Sequence, residues 1–250
     1  MKKYIIIGVL VLVVGLIVLI VNMQPVKIPV LTYHDFTLEE TDDPMQIDAA
    51  TFEKEMKYLA DHHYYSLSLE EMQCFLEEQC DAEEKKSVLI TMDDGWINEL
   101  LIAAPILQKY NLHAVVFYVG EHLDDDNPNF MHREQLEQLQ QEYPFIEVAS
   151  HSYALHFEDA DQLTTEELIY DMELMKEEIE TDYYAYPYGK YSNNYIQALQ
   201  AEDYQMAFTF GPDQEHRKAA VGDSLYAVPR LNMSSKMPFW KYVLRLNWYQ

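Results

Sequence analysis

Short apolar runs that favour β-structure recur along this sequence, and each one ends at polar residues capable of chemistry. The intervals between the runs carry helical periodicity, and this alternation predicts parallel βα units. Because the carboxyl ends of parallel strands lie at one edge, the polar residues are expected to meet on one face of the fold. The runs are residues 30–33, followed by His34; 88–92, followed by Asp93 and Asp94; 146–149, followed by Ser150 and His151; and 185–187, followed by Tyr188.

Helix start signals support the same division of the chain. Thr51 is placed to cap one helix, Ser68 and Glu71 have the spacing of a capping box, and Pro105 is expected to bend or restart another helix. The predicted helices cover residues 51–62, 68–79, a stretch after Gly95 that runs to Tyr110, 134–141, 165–180 and 194–201, with further strands at 114–119 and 206–209.

The N-terminal segment predicts where the chain works. Residues 4–21 form an 18-residue stretch without a charge, and Lys2 and Lys3 precede it. This length reaches the minimum for a membrane-spanning helix, and the lysines favour a cytoplasmic N-terminus. No Ala-x-Ala site follows, which favours an uncleaved signal anchor over residues 1–24, with a cleaved signal peptide as the alternative. In either case residues 25–250 are expected to form one exported domain, on the cell membrane or secreted.

The charge balance narrows the possible partners. The chain has 17 Lys and Arg against 43 Asp and Glu, a formal net charge of −26. Phosphate backbones are bound by clustered cations, so this composition argues against nucleic acid. A neutral or cationic partner is compatible with it, and so is a surface that is acidic for solubility alone.

The two cysteines, Cys74 and Cys80, do not form a metal-type Cys-x-x-Cys motif. In an oxidising compartment they could form a disulfide across a short loop. If the intervening residues are helical, the two side chains point to different faces and pairing is strained. Both alternatives stay open.

Asp93 and Asp94 are adjacent carboxylates at a predicted strand end, so their side chains point in different directions. One of them can bind a metal while the other accepts a proton from activated water. Because Gly95 follows, an ordinary Asp-Gly turn is the alternative interpretation.

His151 and His156 are five residues apart and therefore do not share a helix face. On a tight loop after a strand they can converge on one ion, and together with a carboxylate they would leave coordination positions open for water and substrate. Two unrelated surface histidines are the alternative. In the segment of residues 185–189, Pro187 and Gly189 favour a rigid turn whose backbone N–H could stabilise an oxyanion.

The order of these segments resembles carbohydrate esterase family 4, the polysaccharide deacetylases. The segments are Thr-Met-Asp-Asp-Gly at residues 91–95, Ser-His-Ser-Tyr-Ala-Leu-His at 150–156 and Ala-Tyr-Pro-Tyr-Gly at 185–189. The Pro-Val-Leu-Thr-Tyr-His segment at 29–34 is similar to that of biofilm poly-N-acetylglucosamine deacetylases, in which an early His replaces a C-terminal one. The resemblance spans about residues 29–232 and implies a distorted β/α barrel with fewer than eight strands.

The resemblance also implies a role for each matching residue. Asp94, His151 and His156 would bind a divalent metal, with Zn²⁺ favoured and Co²⁺, Ni²⁺ or Fe²⁺ as alternatives. The general base would be Asp93, the general acid would be His34, and the backbone N–H of Tyr188 would help to bind the oxyanion.

The sequence departs from the family pattern at two positions. Met92 stands where most members have Phe, and Ala185 stands where many members have an Arg that orients the base. We hypothesise that Arg230 supplies the missing cation near Asp93, with a structural arginine on a strand as the alternative.

These expectations describe a monomeric, membrane-anchored, metal-dependent hydrolase of N-acetyl groups on a polysaccharide that contains N-acetylglucosamine. Three alternatives remain: a peptidoglycan deacetylase, an esterase of O-acetylated glycans, and a non-catalytic glycan-binding protein on the same fold. Amide and ester cleavage need the same kind of site, so the motifs do not choose between them.

Overall fold

The computed structural model of this chain describes residues 26–80, 86–157, 159–209 and 217–247. The predicted anchor at residues 4–21 lies outside these ranges, and within them no helix is long and apolar enough to cross a bilayer. The strands are β1 (Lys27–Ile28), β2 (Val30–Tyr33), β3 (Asp35–Thr37), β4 (Gln46–Asp48), β5 (Tyr65–Ser66), β6 (Ser87–Asp94), β7 (Ala114–Tyr118), β8 (Ile146–Ser150), β9 (Tyr183–Ala185), β10 (Met206–Thr209), β11 (Ala219–Ala220), β12 (Val228–Pro229) and β13 (Leu231–Asn232). The α-helices are α1 (Ala49–Asp61), α2 (Leu69–Leu76), α3 (Ala104–Tyr110), α4 (Arg133–Glu142), α5 (Thr165–Glu178), α6 (Asn193–Ala201) and α7 (Phe239–Asn247).

Eight parallel strands form a nearly closed barrel. Their order is β12-β10-β9-β8-β7-β6-β2-β13, and β5 pairs with the start of β6. Strands β12 and β13 lie at opposite ends of this path, yet only Arg230 separates them in sequence, so one short segment joins both edges. The expected number of fewer than eight strands is therefore corrected, because this closing segment is split at Arg230 into two strands with different neighbours.

Alternate residues of the strands face two different cores. Along β6, Leu89 belongs to the cluster inside the barrel, whereas Ile90 and Met92 belong to the cluster beneath the surrounding helices. All eight residues of β6 are buried, which explains why the strand is a continuous apolar run and does not alternate. Strand side chains alternate with a period of two, so Thr91 and Asp93 face the interior together with Leu89. The inside of the barrel is therefore apolar at one end and polar at the other.

Side-chain caps set where the first two helices begin. Ser68 and Glu71 form the predicted capping box at the start of α2. The prediction that Thr51 caps the first helix was wrong, because α1 begins earlier, with Asp48 as its N-cap. The Asp48 carboxylate accepts a hydrogen bond of 2.9 Å from the backbone N–H of Thr51 and so satisfies a donor that the first turn leaves free.

A π-helical turn, Glu99–Ala103, lies between the end of β6 and α3. Pro105 falls in the first turn of α3, where its missing N–H is tolerated, so the helix restarts at this proline as predicted. Such π-helical turns are frequent at functional sites, and this one directly follows the Asp-Asp-Gly motif.

Cys74 and Cys80 form a disulfide. The predicted helix over residues 68–79 is shorter, because α2 ends at Leu76. Glu78 then has a φ of 57°, which turns the chain and brings the two Cα atoms to 5.5 Å. This distance lies in the usual range for a disulfide, and because the segment is not fully helical the two side chains can face each other.

Candidate active site

The predicted site residues lie at the carboxyl ends of neighbouring barrel strands. The strand register aligns these ends, since Asp94 pairs with Tyr118 and Tyr118 pairs with Ser150. The site residues are His34 after β2, Asp93 and Asp94 at the end of β6, His151 and His156 on the loop after β8, Tyr188 after β9, and Arg230 between β12 and β13.

Asp94, His151 and His156 converge on one point. The Asp94 Oδ1 atom lies 3.4 Å from the Nε2 atom of His151 and 3.1 Å from that of His156. One candidate ligand atom from each residue lies within 4.8 Å of the other two. The structure therefore brings together the three residues that the sequence predicted as metal ligands.

A buried carboxylate shapes the loop that carries both histidines. Asp171 of α5 accepts hydrogen bonds from the backbone N–H groups of Tyr153 (2.9 Å) and Ala154 (2.8 Å). Ser152 has a φ of 76°, which reverses the chain just after the first histidine. Together these features let two histidines five residues apart point at one place. The sequence did not single out Asp171, because an acidic residue on an amphipathic helix carries no local signal of such a contact.

The imidazole of His151 is oriented for binding through its Nε2 atom. Its Nδ1 atom lies 2.8 Å from the backbone carbonyl oxygen of Ala185, which can only accept a hydrogen bond. The proton is therefore assigned to Nδ1, and the lone pair is left on Nε2, which faces Asp94. The side chain of Ala185 cannot orient the base, but its carbonyl group orients a candidate ligand.

The charge state of Asp94 also suits a metal ligand. Burial works to raise the pKa of its carboxyl, but the imidazoles of His151 and His156, when they are also protonated at Nε2, hold that pKa well below its usual value. A bound metal would take the place of those Nε2 protons. Burial lowers the pKa of His156, and Asp94 outweighs it, so the net shift is upward. Within the described part of the chain, the buried Oδ1 atom completes no hydrogen bond. An ionised carboxylate with an unsatisfied oxygen between two imidazoles fits a divalent ion.

Asp93 is fully buried and forms a two-bond ion pair with Arg230. The guanidinium donates from Nη1 to Oδ1 and from Nη2 to Oδ2, both at 2.7 Å. It also donates to the Thr91 hydroxyl at 3.3 Å, and its central carbon lies 5.4 Å from the ring centroid of Phe117. The structure thus places Arg230 against Asp93, where Ala185 provides no cation.

His34 is buried at the end of β2. Its charged neighbours include Asp93, Asp94 and Arg230. Burial lowers the pKa of His34, and the nearby carboxylates offset this effect only in part. A general acid has to carry its proton when the bond breaks, and burial works against that protonation in the free protein.

Tyr188 lies in a strained turn beside the histidine pair. It sits in the segment Pro187–Gly189 with a φ of 56°, an uncommon value for a bulky residue. Its ring is 41 % exposed, and the ring centroid lies 5.0 Å from that of His156. Strain of this kind concentrates at functional sites, and here it belongs to the turn predicted to provide the oxyanion donor.

The residues that follow the two aspartates complete the surroundings of Asp94. The indole N–H of Trp96 donates to the Oδ2 atom of Asp94 at 3.0 Å. Gly95 has a φ of 84°, and a Cβ atom there would lie 2.4 Å from a ring carbon of Tyr118. Only glycine fits this position. The sequence carries no local signal of the bond from Trp96 to Asp94.

Glu99 is a further carboxyl that the sequence did not indicate. It is fully buried at the start of the π-helical turn. Burial, and then the charges of Asp94 and Asp93, raise its pKa well above the usual value. Burial and the two neighbouring aspartates thus favour the protonated form of this carboxyl.

The chain belongs to the polysaccharide deacetylase family and is an enzyme of the deacetylase class. Its residues 81–207 match that family, and this range includes Asp93, Asp94, both histidines of the site and Tyr188. The Bacillus subtilis (strain 168) protein named as polysaccharide deacetylase YxkH is 27% identical over 220 residues, which cover 86% of this chain and 74% of that protein. The poly-beta-1,6-N-acetyl-D-glucosamine N-deacetylase of Staphylococcus epidermidis is 26% identical over 202 residues, which cover 74% of this chain and 66% of that protein.

Solved structures share the fold. The Streptococcus pyogenes deacetylase PplD in complex with acetate superposes with a TM-score of 0.78 at 21% identity, covering 90% of this chain and 100% of that chain. IcaB from Ammonifex degensii superposes with a TM-score of 0.72 at 22% identity, covering 91% of this chain and 98% of that chain.

Proposed function

We propose that this protein is a metal-dependent N-deacetylase that removes acetyl groups from an extracellular polysaccharide containing N-acetylglucosamine. The observation that carries the proposal is the convergence of Asp94, His151 and His156 beside the buried pair of Asp93 and Arg230. The similarity to a relative named as a poly-beta-1,6-N-acetyl-D-glucosamine N-deacetylase supports this choice of substrate class.

The metal would be held by one oxygen and two nitrogens. Asp94 would bind through Oδ1, and the two histidines would bind through their Nε2 atoms, a ligand set that suits Zn²⁺ and also Co²⁺, Ni²⁺ or Fe²⁺. When bound there, the ion supplies Lewis acidity, which makes water a better nucleophile and polarises the acetyl carbonyl.

The proton of the attacking water would pass to Asp93. The two parallel hydrogen bonds from Arg230 hold this carboxylate in one plane, and they compensate its charge where water is excluded. Asp93 is therefore a fixed base, and its orientation does not depend on solvent.

The remaining two roles concern the acetyl oxygen and the leaving nitrogen. The backbone N–H of Tyr188 would donate to the oxyanion that forms as water adds to the carbonyl carbon. His34 would then give a proton to the amide nitrogen as the C–N bond breaks, leaving a free amine on the sugar and acetate in solution. No covalent intermediate with the enzyme is required.

We also propose that residues 25–250 work outside the cytoplasmic membrane as a monomer, anchored by the first 24 residues. The uncharged stretch at residues 4–21 and the lysines before it support this placement. Membrane fractionation with protease accessibility tests the placement, and the mass of the detergent-solubilised protein in solution tests the monomer.

Acetate release from a panel of polymers tests the function. The panel contains poly-β-1,6-N-acetylglucosamine, chitooligosaccharides, peptidoglycan and an O-acetylated glycan, each with added Zn²⁺, Co²⁺, Ni²⁺ or Fe²⁺. We expect release from N-acetylglucosamine polymers and almost none with Asp93→Asn. Binding of these polymers without acetate release would instead indicate a glycan-binding protein, and release from peptidoglycan or the O-acetylated glycan alone would reassign the substrate.

A further inference from the structure

The indole of Trp96 lies between Asp94 and the loop of residues 121–130, which follows the neighbouring strand β7. One side of the contact is the hydrogen bond of 3.0 Å from Nε1 to the Oδ2 atom of Asp94. On the other side the indole packs on Phe130, with ring centroids 4.4 Å apart. Phe130 in turn stacks on His122 at 3.7 Å and an interplanar angle of 6°.

Backbone hydrogen bonds fasten the end of this loop to the residues around Trp96. The N–H of Ile97 donates to the carbonyl oxygen of Asn129, and the N–H of Met131 donates to that of Gly95, both at 2.8 Å. These bonds flank the antiparallel bridge between Trp96 and Phe130. The position of the indole is therefore set by the loop as well as by its own strand.

The loop is also held internally. The Nδ1 atom of His122 lies 2.7 Å from the Asp125 carboxylate, and the Nε2 atom of His132 lies 2.9 Å from the carbonyl oxygen of Asn127. An internally braced loop presents Phe130 at a defined place, so the indole that packs on it is also restrained.

The chemistry of the indole makes its contact with Asp94 directional. An indole N–H donates a hydrogen bond and cannot accept one. Because it is bonded to Oδ2, the other carboxylate oxygen, Oδ1, points between the imidazoles of His151 and His156. Asp94 has a φ of 83°, a backbone conformation that L-residues rarely adopt, and the bond from Trp96 contributes to holding its side chain in this unusual setting.

We infer that Trp96 is a positioning residue for the metal site. It holds Asp94 so that Oδ1 faces the two imidazoles, and it couples the metal site to the 121–130 loop. This inference rests on the proposed metal dependence. Outer-shell partners of metal ligands commonly contribute 10- to 100-fold in affinity. The loss of one indole N–H is therefore expected to be measurable as weaker metal binding.

The test is Zn²⁺ affinity, measured by competition with a chromophoric chelator on the full chain. Trp96→Phe keeps an aromatic ring against Phe130 but removes the donor and part of the indole's volume, so the dissociation constant for Zn²⁺ is expected to rise about 10-fold or more. Trp240→Phe is the matched control, because Trp240 is 67% exposed on α7 and belongs to no part of the site. The Zn²⁺ affinity of Trp240→Phe is expected to equal that of the unaltered protein.

A second variant separates the hydrogen bond from packing. Phe130→Leu disturbs the stack but leaves the indole N–H in place, so its loss of affinity is expected to be clearly smaller than that of Trp96→Phe. Equal losses in the two variants would overturn the inference in favour of packing. Zn²⁺ binding by Trp96→Phe within twofold of the unaltered protein would also overturn it, whereas no Zn²⁺ binding by the unaltered protein would overturn the proposed metal site itself. The melting temperature of each metal-free variant verifies that the affinities compare folded proteins.

Discussion

Arg230 holds both carboxylate oxygens of Asp93 at 2.7 Å across a sequence separation of 137 residues. Neither side chain has any exposed surface, so water cannot compensate the charge of one residue when the other is removed. A pair of this kind costs desolvation to bury, and the loss of one member leaves the other charge uncompensated. We therefore expect the removal of Arg230 to affect stability and, through the proposed role of Asp93, turnover as well.

We expect Arg230→Ala to lower the free energy of unfolding by about 3–5 kcal/mol and to reduce turnover strongly. Arg217→Ala is the matched control, because Arg217 makes a similar bond of 2.7 Å to Asp223 with 40% of its side chain exposed. The free energy of unfolding is expected to fall by about 1 kcal/mol or less in Arg217→Ala. Urea unfolding and acetate release measure the two effects, and unchanged turnover in Arg230→Ala would remove Arg230 from the mechanism.

Removal of one candidate metal ligand should separate metal affinity from folding. His156 is on a loop with 28% of its side chain exposed, so His156→Ala is expected to leave the melting temperature of the metal-free protein nearly unchanged. Its Zn²⁺ affinity is expected to fall by more than about 100-fold, beyond the effect of an outer-shell partner. His62→Ala, at the exposed end of α1, is the control, because it removes a histidine that lies away from the site. Equal Zn²⁺ affinity in both variants would exclude His156 as a ligand.

Asp171→Asn tests the clamp on the histidine loop. An amide offers one acceptor oxygen where the carboxylate offers two, so one of the bonds from Tyr153 and Ala154 is lost. We expect a loss of about 1–3 kcal/mol in stability and a decrease of roughly 10-fold in metal affinity. Glu173→Gln, on the exposed face of the same helix, should change neither quantity, and hydrogen exchange at the two amides reports the clamp directly.

Glu55 gives the fold a dependence on pH that is independent of the site. Burial raises its pKa from the ordinary value of 4.5 to about 8, with a smaller opposing effect from the hydrogen bond donated by Tyr33. The folded protein keeps a proton that the unfolded chain releases, so this contribution to stability is complete below pH 4.5 and is lost as the pH rises through about 8. The melting temperature of the unaltered protein should therefore fall more steeply between pH 5 and 8 than that of Glu55→Gln.

The control for this pH effect lies two residues earlier on α1. The side chain of Glu53 is 39% exposed, and its bonds to Lys109 and then Tyr110 lower its pKa, so Glu53→Gln should leave the fall in stability between pH 5 and 8 intact. If Glu55→Gln shows the same slope as Glu53→Gln, the decline has a source other than Glu55.

Much of the fold could be predicted from the sequence, because strands buried on both faces appear as continuous apolar runs. The predicted runs at residues 88–92 and 114–119 correspond to β6 and β7, both buried throughout. The polar residues at the strand ends were found for the same reason, since parallel strands bring their carboxyl ends together. Asp94, His151 and His156 therefore met as predicted.

The contacts that orient these residues could not be predicted, because their partners are distant in sequence or depend on backbone turns. Asp171 holds Tyr153 from the next helix, and the bond from Trp96 to Asp94 depends on the reversal at Gly95. The expectation of fewer than eight strands came from the resemblance, and the sequence pattern could not correct it. Two-residue strands such as β12 and β13 are too short to show a periodic pattern.

The segment that closes the barrel also carries the cation for Asp93. Residues 228–232 pair with β10 on one side and with β2 on the other, and Arg230 lies between the two pairings. A chain in which these last pairings have not formed would lack the counter-ion of Asp93. If Asp93 is the base, as proposed, catalytic competence is tied to the closure of the barrel, and a chain with an open barrel is expected to be inactive.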